Sequence, residues 1–143
     1  MWHDRQFGAA VLAAPLFWAA LIAIGQPHAD LAWPAREPLS FLLVAVAHPV
    51  LEEIVFRGGL QPWLQRRRNG ACAVAGFTLA NLVTSLVFTA LHFFFHPVFW
   101  AAAVLVPSLV FGYFRDRHGG LTAPIVLHVF YNTGYYCLFG NPV

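Results

Sequence analysis

Long apolar runs separated by short polar stretches organise this chain, with no sustained alternation of the kind that marks a half-buried strand. Runs long enough to cross a bilayer as helix, which takes roughly 17–25 residues, lie at about 7–25, 38–60, 74–96, 98–114 and 121–139. They predict an all-α, polytopic membrane helix bundle of about five transmembrane helices, one membrane-embedded domain over residues 1–143. The connections fall at Pro27, at 34–38, at Gln65-Arg66-Arg67-Arg68-Asn69-Gly70, at His96-Pro97 and at Arg115-Asp116-Arg117-His118-Gly119-Gly120. Pro15 and Pro107 stand inside apolar runs, where a missing N–H kinks a helix. The first run, after Arg5, is longer than the apolar core of a signal peptide and is expected to be a retained span.

Composition supports this plan: 59% of the 143 residues are hydrophobic and 10% charged, with a mean hydropathy of +0.66. All basic residues are Arg, spread over the connections and not gathered on one face, so a nucleic-acid partner is excluded in favour of a lipid bilayer. With five spans, Arg5, Arg66, Arg67, Arg68, Arg115 and Arg117 share one side and Arg36 stands on the other. The positive-inside rule then places the N-terminus in the cytoplasm, in what we expect to be a bacterial cytoplasmic membrane. Cys72 and Cys137 lie in apolar stretches and are expected to be buried free thiols.

Ionisable side chains at membrane depth are costly, so those that persist there point to function. Three patterns stand out: Glu52-Glu53-Ile54-Val55-Phe56-Arg57, Phe88-Thr89-Ala90-Leu91-His92 and His128-Val129-Phe130-Tyr131-Asn132. Side chains four apart share a helix face, so Glu53 lies beside Arg57 while Glu52 points about 100° away. Glu53 and Arg57 read as a structural ion pair. No cation stands one turn on from Glu52, which leaves its carboxylate for activating water. Phe88 pairs with His92, and His128 with Asn132; an imidazole and an amide on adjacent turns can converge on one point, as an oxyanion site requires. Helix-to-helix hydrogen bonding would account for any one of His92, His128 and Asn132, and accounts poorly for all three. His48 and His96 fit that plainer role, and Phe88 supports the shape of the site.

Simple spans leave Glu52 and His92 at different depths. The segment from 66 to about 77 is therefore expected to lie along the interface or to tilt steeply, shifting the third helix.

The order Glu-Glu-x-x-x-Arg, Phe-x-x-x-His, His-x-x-x-Asn on separate apolar helices resembles the CPBP family of CAAX-type prenyl endopeptidases and bacteriocin-processing proteins, also called the Abi family. The resemblance covers 38–139 and includes the approach Phe111-Gly112-Tyr113-Phe114-Arg115-Asp116-Arg117-His118-Gly119-Gly120-Leu121. It implies a glutamic-type intramembrane protease with no cofactor and no metal. Glu52 with His92 would deprotonate the attacking water, His128 with Asn132 would stabilise the oxyanion, and Glu53 with Arg57 would orient the helix. The chain is shorter than most such proteins, which implies a catalytic core with fewer peripheral helices.

The substrate expected is a membrane-associated or lipidated protein or peptide, cut near its C-terminal part. Two other readings compete. In one, Glu52, His92 and His128, with His48, hold Zn²⁺ in a metal-dependent protease. In the other, the chain is a non-enzymatic immunity or chaperone protein that binds a membrane peptide.

Overall fold

The computed structural model describes residues 1, 3–25 and 28–140; Pro27, the expected mark of the first connection, lies outside them. Helix α1, Arg5–Ile24, starts where the Asp4 carboxylate accepts from the Gln6 N–H and stops at Gly25, whose left-handed φ of 68° caps it. A short turn of helix, α2, Trp33–Arg36, leads to α3, Pro38–Gln65. Then come a two-stranded antiparallel hairpin, β1 Ala73–Val74 and β2 Phe77–Thr78, helix α4 Leu79–His92, helix α5 Val98–His118 and helix α6 Thr122–Phe139.

The all-α class is as the apolar pattern predicts. Of the five expected runs, α1, α3 and α5 are long and apolar enough to cross a membrane. Helix α4, at 14 residues, is shorter than a span. Helix α6 has 18 residues, but His128, Asn132 and three tyrosines dilute its apolar character. The third run begins late because Ala75 and Gly76, at φ 51° and 86°, form a two-residue turn that folds 73–78 into the hairpin. Thr78 then caps α4, accepting from the Asn81 N–H at 3.1 Å. Residues 66–78 thus hold no helix among the described residues.

Helix α5 is interrupted at Val104. Pro107 cannot donate to the carbonyl of Ala103, and the break falls there. Cys72 does not meet the expectation of a buried thiol: it sits exposed in the turn before β1, outside any apolar helix, while Cys137 is half-buried.

The chain divides into two compact units, one made of the residues up to Leu51 with those from Val126 on, the other of Glu52–Ile125. In the first, Tyr131 donates its hydroxyl to the Ala10 carbonyl at 2.6 Å, and Trp18 packs against Phe130 with ring centroids 5.4 Å apart. A Cβ at Gly134 would collide with the Trp18 ring, so α1 and α6 approach through a glycine. In the second unit the core lies between α4 and α5. Phe88, Phe111 and Phe114 are buried there alongside Asn81, Thr84, Ser85 and Ser108. Gly112 allows the contact, since a Cβ in its place would strike the Asn81 side chain, which donates to the Leu109 carbonyl at 3.0 Å.

Candidate functional site

Helix α3 has two wide turns, Leu43–Ala47 and Ile54–Leu60, in which N–H groups bond five residues back. The second takes in the Ile54–Arg57 end of the first sequence pattern, and the pattern's two glutamates close the ordinary helical stretch His48–Glu53 just before it. Within its unit Glu53 and Arg57 are fully buried, with Glu53 Oε1 3.1 Å from Arg57 Nη1. Arg57 Nη2 donates to the carbonyl of Ser108 at 2.8 Å and to its hydroxyl at 2.6 Å. The guanidinium carbon also stands 4.9 Å from the centre of the Phe88 ring and 5.7 Å from that of Phe111. A desolvated guanidinium needs its charge balanced, and a carboxylate, a carbonyl, a hydroxyl and two aromatic faces serve its terminal nitrogens, while Nε is buried with no hydrogen-bond partner among the described residues. The ion pair expected from the four-residue spacing is present, and Glu52, one residue earlier, is half-buried.

Phe88 links that charge centre to the second pattern. Its ring meets Phe56 edge-on at 5.0 Å and lies 4.5 Å from the imidazole of His92. His92 ends α4, and its Nδ1 is 2.8 Å from the Phe88 carbonyl. A carbonyl oxygen only accepts, so Nδ1 carries the proton and Nε2 is the basic nitrogen of the neutral ring. His96, in the turn that follows, stacks on His92 at 5.6 Å with 19° between the planes. His48 is exposed.

The third pattern belongs to the first unit. His128 is buried, with 6% of its surface exposed. The amide Nδ2 of Asn132 donates to the carbonyl of Val44 at 3.0 Å, and Val44 lies in the first wide turn of α3. The expected site residues are therefore distributed, with Glu52, Glu53, Arg57, Phe88 and His92 on one unit and His128 and Asn132 on the other.

Several partners escaped the sequence reading. Ser108 and Phe111 complete the Arg57 environment. Arg115 donates through Nε to the Arg57 carbonyl at 2.9 Å. Asp116 gathers Gln61, Gln65 and Thr78. The available signal was modest: Asn81, Ser85, Phe88 and His92 recur at helical spacing on one face of an apolar run. Among the described residues no group of three His, Cys, Asp or Glu side chains is poised to hold a metal within either unit.

Three apolar spans with a buried ion pair and partly buried histidines define an integral, polytopic membrane protein. The chain belongs to the Rce1-like family, described as type II CAAX prenyl endopeptidase Rce1-like, which matches residues 34–134. It is also 32% identical over 91 residues to an Escherichia coli protein named "Uncharacterized 24.3 kDa protein". That similarity covers 64% of this chain and 40% of the relative, so the chain spans well under two thirds of the relative's length. No solved structure matches the chain.

Proposed function

We propose that the protein is an intramembrane endopeptidase that hydrolyses a peptide bond near the C-terminal part of a membrane-associated or lipidated protein or peptide. The observation that carries this reading is the family match over 34–134, which contains all three polar patterns. Glu52, with His92, takes a proton from water. The resulting hydroxide adds to the scissile carbonyl carbon, and His128 and Asn132 donate hydrogen bonds to the oxyanion that forms. Collapse of the tetrahedral intermediate breaks the C–N bond, and the leaving amine takes back the proton held by Glu52 or His92.

The local geometry supports this division of labour. Glu53 is committed to Arg57, whereas Glu52 is half-buried on a different side of the helix. The Phe88 carbonyl orients His92 with its basic nitrogen opposite, and the Val44 carbonyl fixes the Asn132 amide, whose nitrogen has a second N–H to give. The chemistry operates in a bacterial cytoplasmic membrane with the N-terminus on the cytoplasmic side.

The test compares, by mass spectrometry, the membrane proteome of cells carrying the wild-type chain with that of cells carrying Glu52→Gln. Peptides ending at new C-termini are expected only with intact Glu52. Purified Glu52→Gln protein that still shortens those substrates at the normal rate would exclude the mechanism.

A further inference from the structure

At one end of the second unit, α3 and α5 stop together. Gln65, the last residue of α3, donates to Oδ1 of Asp116, two residues before the end of α5. Residues 66–68, just past the end of α3, and 117–118, the last two of α5, therefore lie at the same level. Arg66, Arg67, Arg68 and Arg117 are all exposed, and none of the first three forms an ion pair among the described residues. The nearby acid is turned to neutral donors: Oδ1 of Asp116 also accepts from Gln61 at 2.6 Å, and Oδ2 accepts from the Thr78 hydroxyl at 2.7 Å.

The arginines are also placed against aromatic rings. The Arg67 guanidinium carbon lies 4.2 Å from the ring centre of Trp63, which is half exposed, and Arg117 Nη1 donates to the Tyr113 hydroxyl at 3.4 Å. A tryptophan at the end of an apolar helix sits at headgroup depth. The arginine stacked on it then presents its planar donors at the level of the phosphates.

We propose that Trp63, Arg66, Arg67 and Arg68, flanked by Arg117, form a binding surface for the headgroups of anionic phospholipids. Two observations choose lipid over a soluble anion: the cluster follows directly on an apolar span, and its ring platform suits the boundary between acyl chain and headgroup. This surface is independent of the catalytic reading, and its test needs no substrate.

The full chain in non-ionic detergent is titrated with phosphatidylglycerol, with phosphatidylcholine of the same acyl chains and with inorganic phosphate, and bound lipid is counted by native mass spectrometry. Phosphatidylglycerol is expected to bind at least roughly tenfold more tightly than phosphatidylcholine, with the difference shrinking as salt rises. The combined Arg66→Gln, Arg67→Gln, Arg68→Gln variant is expected to lose that preference, at roughly fivefold per arginine, while Arg36→Gln keeps it. Trp63→Leu and Arg67→Gln as single changes should each weaken phosphatidylglycerol binding several-fold, which preserves the test if the triple variant does not fold. Equal binding of the two lipids, a folded triple variant that keeps the preference, or both single variants at wild-type affinity would overturn the proposal. Complete displacement of phosphatidylglycerol by millimolar phosphate would overturn it in favour of a soluble anion.

Discussion

The amide of Asn132 is held by the main-chain carbonyl of Val44 because a proline leaves that carbonyl without a helical partner. In the first wide turn of α3 the His48 N–H bonds back to Leu43, five residues earlier. In the same register the Val44 carbonyl would take its bond from residue 49, which is Pro49 and has no N–H. Asn132 supplies the donor at 3.0 Å. The second wide turn repeats the arrangement: Gln61 N–H bonds back to Phe56, Pro62 cannot serve the Arg57 carbonyl, and Arg115 Nε does so at 2.9 Å.

Pro49→Ala restores an N–H that can reach Val44 and compete with Asn132. Removing a proline from a helix interior relieves a cost of ~3 kcal/mol, so the variant is expected to melt higher than wild type. If Asn132 positions an oxyanion donor, the same variant should cleave more slowly, by up to about 10²-fold. A higher melting temperature with unchanged turnover would show that the Val44 contact does not serve catalysis.

The buried pair of Glu53 and Arg57 should behave as a structural unit. Arg57→Met strands a fully buried carboxylate, and breaking such a pair costs about 3–5 kcal/mol. Adding Glu53→Gln to Arg57→Met should recover much of the loss, because the stranded charge goes with it. Thermal melting in detergent checks this. If the double variant is no more stable than Arg57→Met alone, the charge of Glu53 is not what destabilises it.

Pro62 and Arg115 should be energetically coupled. Arg115→Met in the wild-type background leaves the Arg57 carbonyl unserved, a loss of about 1–3 kcal/mol for a buried acceptor. In a Pro62→Ala background the new backbone N–H can take that carbonyl, and the same Arg115→Met change should cost clearly less. Additive effects in the double-mutant cycle would refute the shared acceptor.

Between α1 and α3, Arg36 bonds Asp30 at 2.5 Å and holds its carboxyl below the ordinary value of 3.8. A carboxyl lowered in the folded state contributes stability above its unfolded pKa, and the contribution fades as pH falls through the lower folded value. Asp30→Asn is expected to lower the melting temperature slightly at pH 7, less so in high salt because the pair is exposed, and not at all once the pH is far enough below 3.8 to protonate the folded carboxyl. An equal deficit at both pH values would assign the effect to the Asp30 side chain's shape and not to its charge.

Much of the fold was legible because apolar run length is nearly sufficient for a helix in lipid. The helices α1 and α6 lie within two residues of the predicted runs, and α3 and α5 start where predicted and run on for about one more turn at their C-terminal ends. The third was misplaced at its start because Phe77 and its apolar neighbours look helical in sequence, while Ala75 and Gly76 turn the chain back on itself. Cys72, next to the hairpin and outside any helix, is exposed.

Among the site residues, the partnership of Glu53 with Arg57 could be read in advance, since a helix fixes the geometry of residues four apart. Its remaining partners could not. Ser108 lies 51 residues from Arg57 in sequence, and only the packing of α5 brings its oxygens to the guanidinium. The sequence by itself determined the membrane class, the helices and the polar patterns, because these depend on composition and on periodicity along one chain. Tertiary structure decided which carbonyls the prolines left open and which distant side chains filled them, because a backbone acceptor carries no mark in the sequence until a second helix is packed against it.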